Sequence, residues 1–294
     1  MSDYQLHMGD CLDFMRGLDA GSIDAIITDI PYGTTACDWD EIIPFHQFIK
    51  IQSKNYYHDE AIARLIHFGF TEQEAEEKWK EESKPGMWEG VKRVLKRNGV
   101  FVTTASQPFT SLLVCSNLEW FKYEWQWEKD QVTNPQLAKY MPLKNYESVL
   151  VFCEGTTAYN PQNMKRTSIK RKPDSAGMNL GHLFESKSYT QEFTNYPKMT
   201  IYFETERGEH PTQKPVALYE YLIRTYTNPG ETVLDFCFGS GTTGVAAIQT
   251  GRKFIGCELK PEYFAIAEKR IAAASLQIPL PMPERERAEQ GSLL

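Results

Sequence analysis

Seven short stretches of this chain carry the hydrophobic patterning of β-strands, and the segments between them switch to helical periods or lose periodicity. The apolar run Ile23, Ala25, Ile26 and Ile27 predicts a buried strand over residues 22–28, and residues 4–8 predict a second one just upstream. Residues 99–104, 147–153, 232–236 and 253–258 read the same way. In 123–129, Tyr123, Trp125 and Trp127 alternate with polar residues, which places three aromatics on one face of a strand, with Trp125 facing the core. Helical patterning follows at 12–17, 216–227, 242–250 and 261–274, with Gly251 stopping the third of these helices. Residues 155–189 show no clear period.

Two segments have their own character. Within residues 54–84 the pattern predicts a helical hairpin: a helix over 61–68, a stop at Gly69, and a second helix opened by the capping box Thr71-x-x-Glu74. From Ile278 onward, prolines at 279, 281 and 283 and a charged end predict a disordered tail over 276–294. The expected organisation is therefore 1–154 as one half of an α/β domain carrying the insertion 54–84, then a separate segment 155–209, then the other half, 210–275.

Alternation of strands and helices predicts an α/β sheet with helices on both faces. The order of its motifs is unusual. A glycine-rich turn, Phe238-Gly239-Ser240-Gly241, follows the strand 232–236 near the C-terminus, whereas Asp29-Ile30-Pro31-Tyr32 closes the strand 22–28 near the N-terminus. Nucleotide-binding folds ordinarily begin with the glycine turn. Here one helix, one strand and one helix follow it, so the remaining strands are expected from the N-terminal half. That is a circular permutation.

Composition adds bounds. The 294 residues are 41% hydrophobic and 24% charged, with a formal net charge of −7. This balance argues against a protein that coats nucleic acid nonspecifically, yet it permits a local basic face. No apolar run approaches the ~20 residues of a membrane span, and no leader pattern opens the chain, so a cytoplasmic location without a membrane partner is expected. The six cysteines are scattered singly, so no metal site is expected.

The glycine turn specifies chemistry. Gly239 and Gly241 suit positive φ and close approach of a ligand, and the helix that begins at Thr242 and Thr243 offers amide dipoles to an anion. Glu258 ends the next strand, where a carboxylate suits the two hydroxyls of a ribose. An adenosine-containing cofactor with an anionic group fits. The spacing Gly239-x-Gly241-x-x-Gly244 also satisfies a dinucleotide fingerprint, but a dinucleotide domain would continue into further strand-helix units after Glu258.

Gly9-Asp10-Cys11, Thr28-Asp29-Ile30-Pro31-Tyr32-Gly33-Thr34-Thr35, His210-Pro211-Thr212-Gln213-Lys214-Pro215 and Asp235 through Gly244 with Glu258 together resemble the permuted beta class of DNA amino-methyltransferases, particularly the short methylases of phages and prophages. The resemblance implies a circularly permuted Rossmann-like methyltransferase fold with a seven-stranded mixed sheet and helices on both faces. It also implies S-adenosylmethionine as cofactor, and methyl transfer to an exocyclic amine of a flipped base in double-stranded DNA, at adenine N6 or cytosine N4. Asp29, the Ile30 carbonyl, Pro31 and Tyr32 would form the catalytic loop. An exocyclic amine is a poor nucleophile because its lone pair is delocalised into the ring. Accepting both of its hydrogens, one on Asp29 and one on the Ile30 carbonyl, counters this, while Tyr32 stacks on the base. Where the family commonly has proline, this chain has Ile30, which supplies the same carbonyl. Aspartate at the first position leans to adenine.

By the same resemblance the cofactor pocket comprises Asp10, Cys11, Asp29, Thr212, Lys214, Asp235, Phe236, Phe238, Gly239, Ser240, Gly241, Thr242, Thr243, Glu258 and Leu259. Asp10 would lie at the adenine end, and Thr212 and Lys214 at the methionine carboxylate. His210 reads as structural. DNA contacts are expected from Asn134, Lys139 and Lys144 in the loop 130–145. They are also expected from Lys165, Arg166, Lys170, Arg171 and Lys172, part of a stretch with six basic residues against two acidic ones over 155–189. The alternative for that stretch is a solvated loop. The hairpin at 54–84 is acidic, which disfavours duplex contact and leaves a lid, a homodimer contact or a neutral insertion. A catalytically silent DNA-binding module of the same fold is the alternative from another class.

Overall fold

The computed structural model describes residues 3–33, 40, 42–43, 66–67, 69–75, 86–171, 189–206, 208 and 213–277. Its centre is an eight-stranded sheet. In chain order the strands are β1 (Tyr4–Met8), β2 (Ile23–Thr28), β3 (Leu95–Ala105), β4 (Phe121–Glu128), β5 (Tyr146–Phe152), β8 (Thr200–Tyr202), β9 (Thr232–Asp235) and β10 (Lys253–Glu258). They lie side by side in the order β1-β10-β9-β2-β3-β5-β4-β8. β5 runs antiparallel to both of its neighbours and every other pairing is parallel, so the sheet is mixed. The seven strands expected from the resemblance are all present; β8 extends them at the edge beside β4. The permutation is visible in β1, an N-terminal strand paired with β10 from the C-terminal half, Met8 opposite Glu258.

Strand residues alternate between two cores, which explains why the central strands read as unbroken apolar runs. Ala25, Ile27 and Val233 face one layer, built by α4 (Val216–Tyr226), α5 (Thr242–Gln249) and α6 (Pro261–Leu276). Ile26, Leu234 and Phe236 face the other, built by α1 (Cys11–Gly17), α2 (Met87–Val94) and α3 (Phe109–Ser116). Trp125 is buried as expected, Trp127 is buried with it, and the Trp125 indole N–H donates to the Tyr226 hydroxyl at 2.6 Å. Gly241 and Gly244 admit α6 against α5: a Cβ on Gly244 would collide with the Ile271 side chain.

The basic stretch departs from expectation. β6 (Lys165–Arg171) and β7 (Tyr189–Thr194) pair antiparallel as a separate two-stranded ribbon, not an irregular loop. Its register slips between Arg166 and Ile169, where Arg166 faces Phe193 and Ile169 faces Gln191. The expected capping box is present, with the Glu74 N–H donating to Thr71 Oγ1 at 3.2 Å and the Thr71 N–H to Glu74 Oε2 at 2.8 Å. Of the helix expected over 61–68, Ile66 and His67 are helical and the other residues lie outside the described residues, as do the tail from 278 onward and Lys172, Thr34, Thr35, His210 and Thr212. Among the described residues no helix is long and apolar enough to cross a membrane, and no group of three or more His, Cys, Asp or Glu side chains is placed to hold a metal ion.

Candidate active site

After β9 the chain moves to β10 on one side; after β2 it moves to β3 on the other. β2 and β9 are neighbours, so their carboxyl ends flank the point where strand order reverses, the place where open α/β sheets bind ligands. Asp29 and the glycine turn therefore meet although about 200 residues separate them. The Thr28 hydroxyl donates to Asp235 Oδ1 at 2.6 Å, which ties the two strand ends together. Asp235 also accepts from the Thr243 hydroxyl at 2.5 Å and the Cys237 N–H at 3.0 Å. Burial raises its pKa to about 7, against the lowering effect of these three donors and with a further push from the Asp29 charge.

A carboxyl group whose pKa is higher folded than unfolded gives stability that is complete below the unfolded pKa. That stability is lost as pH rises through about 7. Asp235→Asn has no such proton to lose. Its thermal midpoint is expected to fall less between pH 5 and pH 8.5 than that of the wild type, as measured by calorimetry; parallel declines would contradict this assignment.

Around Asp29 every oxygen has a donor. Oδ1 accepts from the Tyr32 hydroxyl at 2.6 Å and from the Thr104 hydroxyl, and Oδ2 is 2.5 Å from the Lys214 ammonium. Lys214 is buried and lies between two acids, with Glu147 Oε2 at 3.6 Å. Burial works against its charge, yet Asp29 and Glu147 together push its pKa up. Glu147 is held by Lys129 as well, at 2.8 Å; burial opposes its charge, but Lys214, Lys129 and Lys144 bring its pKa below the usual value. Tyr32 stays protonated at neutral pH, because burial and then the charges of Asp29 and Glu147 push its pKa well up. Its ring stacks on Phe109 at 5.2 Å. The Asp40 carboxylate shapes the loop by accepting the N–H groups of Tyr32 and Gly33 at 2.8 and 2.9 Å.

Glu258 spans the glycine turn from the β10 side. Its Oε2 accepts the Gly239 N–H at 2.9 Å and its Oε1 the Lys260 N–H at 2.8 Å; burial raises its pKa, and these amides pull the other way. Gly239 and Gly241 have φ of 52° and 80°, the left-handed region expected of them. Arg270 on α6 fixes the turn from behind, donating to the Ser240 carbonyl at 2.5 Å and the Ser240 hydroxyl at 3.0 Å.

One pocket joins these groups. Ten of the expected residues line it: Asp29, Pro31, Lys214, Asp235, Phe238, Gly239, Ser240, Thr242, Thr243 and Glu258. Other expected residues have different surroundings. The Asp10 carboxylate caps α1 by accepting the Leu12 and Asp13 N–H groups, both at 2.9 Å. Phe236, two positions beyond Leu234, is carried by strand alternation onto the opposite core. Cys11, Gly241 and Leu259 are outside the lining, Leu259 being exposed. Ile30 is buried and Tyr32 half-buried beside the pocket. Lys214, expected at a cofactor carboxylate, lines the pocket and is paired with Asp29 and Glu147. In the loop 130–145, Asn134 braces the backbone: its Oδ1 accepts the Lys144 N–H at 2.6 Å. The Lys144 ammonium donates to the Ser106 hydroxyl, and Lys139 is exposed. Sequence reasoning missed Gln213, Tyr219, Cys237 and Tyr263 in the lining, and Thr104, Glu147 and Arg270 behind it. Of these, Arg270 has a visible signal, a cation on the same helix face as Ala267, Ile271 and Ala274.

A family model described as DNA methylase, N6_N4_Mtase, matches residues 23–269. The chain belongs to this family. Among its relatives, the DNA adenine methyltransferase YhdJ of Escherichia coli (strain K12) is 31% identical over 191 residues, 62% of this chain and 64% of that protein. The match thus spans just under two thirds of YhdJ. The Type II methyltransferase M1.MboII of Moraxella bovis is 24% identical over 283 residues, 88% of this chain and 93% of that one. Among solved structures, the M1.HpyAVI–SAM complex is similar at TM-score 0.52 and 23% identity, over 91% of this chain and 99% of that one. The PvuII DNA methyltransferase (cytosine-N4-specific) is similar at TM-score 0.56 and 16% identity, over 98% and 91%. At those identities the structures establish the fold, the permuted methyltransferase sheet.

Proposed function

We propose that this protein transfers a methyl group from S-adenosylmethionine to the exocyclic N6 of adenine in double-stranded DNA, after flipping the base out of the stack. The observation that carries this reading is the shared pocket of Asp29 and the glycine turn at the switch point of the sheet. The donor set fits the cofactor. Besides Asp29, the acidic groups of Asp235 and Glu258 line the pocket with hydroxyls from Ser240, Thr242 and Thr243, which suits a ligand bearing an ammonium and ribose hydroxyls. Asp235 would take the ammonium and Glu258 the ribose. Bound there, the cofactor supplies an electrophilic sulfonium methyl.

The chain's own part is positioning. Asp29 and the Ile30 carbonyl accept the two amine hydrogens, so that the nitrogen lone pair leaves ring conjugation and faces the methyl. Thr104 and the Tyr32 hydroxyl fix the Asp29 rotamer, and the protonated tyrosine presents its ring beside the base. The basic ribbon β6–β7 is the proposed duplex contact, since a two-stranded ribbon fits a major groove. YhdJ, named as an adenine methyltransferase, and aspartate at position 29 favour adenine. Cytosine N4 is the second reading, supported by the likeness to the N4-specific PvuII fold.

Incubating the protein with S-adenosylmethionine and unmodified genomic DNA, then sequencing for modified bases, tests this. N6-methyladenine in one sequence context is expected; N4-methylcytosine would move the assignment to the second reading, and unmodified DNA would overturn both. Glu258→Ala is expected to weaken cofactor binding by roughly 1.5–3 kcal/mol, the scale of a hydrogen bond to a charged group. Unchanged affinity by titration calorimetry would place the ribose elsewhere.

A further inference from the structure

Asp29 has a competitor for its substrate hydrogen bond. If the proposed reaction is right, Oδ2 must accept an amine hydrogen, yet the Lys214 ammonium already occupies it at 2.5 Å while Thr104 and Tyr32 hold Oδ1. A full positive charge in that position weakens Asp29 as an acceptor for a neutral N–H. A second acceptor lies close to the same ammonium. Glu147 Oε2 is buried without a hydrogen-bond partner among the described residues, and it lies 3.6 Å from Lys214 Nζ. That is less than an ångström beyond a charge-assisted bond of about 2.8 Å. Its other oxygen is anchored by Lys129 at 2.8 Å, which holds the carboxylate facing Lys214.

We infer that Glu147 is a positioning residue that takes over the Lys214 ammonium when the substrate amine arrives, releasing Asp29 Oδ2 to accept the amine hydrogen. The transfer changes no protonation state and breaks no covalent bond. It needs only a small rotation of the lysine side chain between two carboxylates. A buried oxygen without a hydrogen bond is costly; among the described residues Glu147 Oε2 has the ion pair with Lys214 at 3.6 Å, and the transfer would complete that contact as a hydrogen bond in the loaded state. The inference rests on the methyltransferase reading.

A double-mutant cycle on the full-length protein separates this role from a structural one. The measurement is single-turnover methylation, at saturating S-adenosylmethionine, of a duplex carrying the site found by sequencing. Glu147→Gln keeps the shape and removes the charge that draws the ammonium away. It is expected to slow turnover at least about tenfold, with cofactor and DNA affinities within about threefold of wild type. In a Lys214→Met background the same change is expected to alter the rate by less than about threefold, since no ammonium remains to be moved. An unaltered rate in Glu147→Gln, or an equal loss in both backgrounds, would overturn the inference while leaving the methyltransferase reading intact. Absence of methylation by the wild type would overturn both. If Glu147→Gln fails to fold, Glu147→Asp, which withdraws the carboxylate from Lys214, is carried through the same cycle with the same criteria.

Discussion

Alanine at Asp29 is expected to slow methyl transfer by about 10²–10³-fold in single-turnover assays, the scale for removing one preorganised group from a reacting centre. Cofactor affinity is expected to stay within a few-fold of wild type. Asp29 reaches the pocket from the β2 side, whereas Asp235, Glu258 and the glycine turn come from β9 and β10. The variant should also fold, because Lys214 retains Glu147 as a counter-charge while it and the Thr104 and Tyr32 hydroxyls lose Asp29 as an acceptor. Asp29→Asn provides the comparison at constant shape, since it retains one acceptor oxygen and should lose less than alanine does. Near-normal methylation by Asp29→Ala, with N6-methyladenine as product, would remove this residue from the reaction and with it the role assigned to the loop.

The parts of this site legible in the sequence are those encoded locally. Asp29 and Glu258 each end an apolar run, and Gly239 and Gly241 mark a turn that few other residues could make, so strand ends and turn chemistry suffice. Thr104, Glu147 and Arg270 act across long sequence separations. Glu147 in particular reads as an ordinary polar residue at the start of an apolar strand; only the antiparallel placement of β5 beside β3 and β4 brings it to Lys129 and Lys214.

The same contrast holds for the fold. Strands buried on both faces declare themselves as apolar runs, whereas α3 is built from Phe109-Thr-Ser-Leu-Leu-Val-Cys-Ser116, rich in hydroxyl and β-branched residues and lacking a side-chain cap. α2 carries Gly90 in its interior, a poor helix former tolerated because a Cβ there would crowd Met15 Cε at 3.0 Å. β6 is hidden for another reason. Much of it is exposed, and its register slip interrupts what alternation remains, so no hydrophobic period marks it as a strand.

That slip gives the ribbon a testable polarity. Lys165 pairs with Thr194 and Lys170 with Thr190, four positions apart on β7, so these two lysines share one face. Arg166, opposite Phe193, is on the other face together with Ile169, opposite Gln191. Two exposed lysines on one face suit phosphates, and an arginine on the opposite face suits a guanine edge. Replacing Lys165 and Lys170 together by alanine is expected to weaken duplex binding at every sequence, and to flatten the dependence of log affinity on log salt by roughly 0.9 for each phosphate no longer neutralised. Site choice should hold. Arg166→Ala is expected instead to relax the methylated sequence at one position, at a cost in discrimination of about 1–3 kcal/mol. Both variants should melt with the wild type, because β6 and β7 form a sheet apart from the central one. Filter binding across a salt series, paired with sequencing of methylated sites, reads the two effects separately. Unaltered slope and unaltered site choice would remove the ribbon from the DNA interface and shift attention to the loop between β4 and β5, where Lys139 is exposed and Tyr140 stands 85% open to solvent.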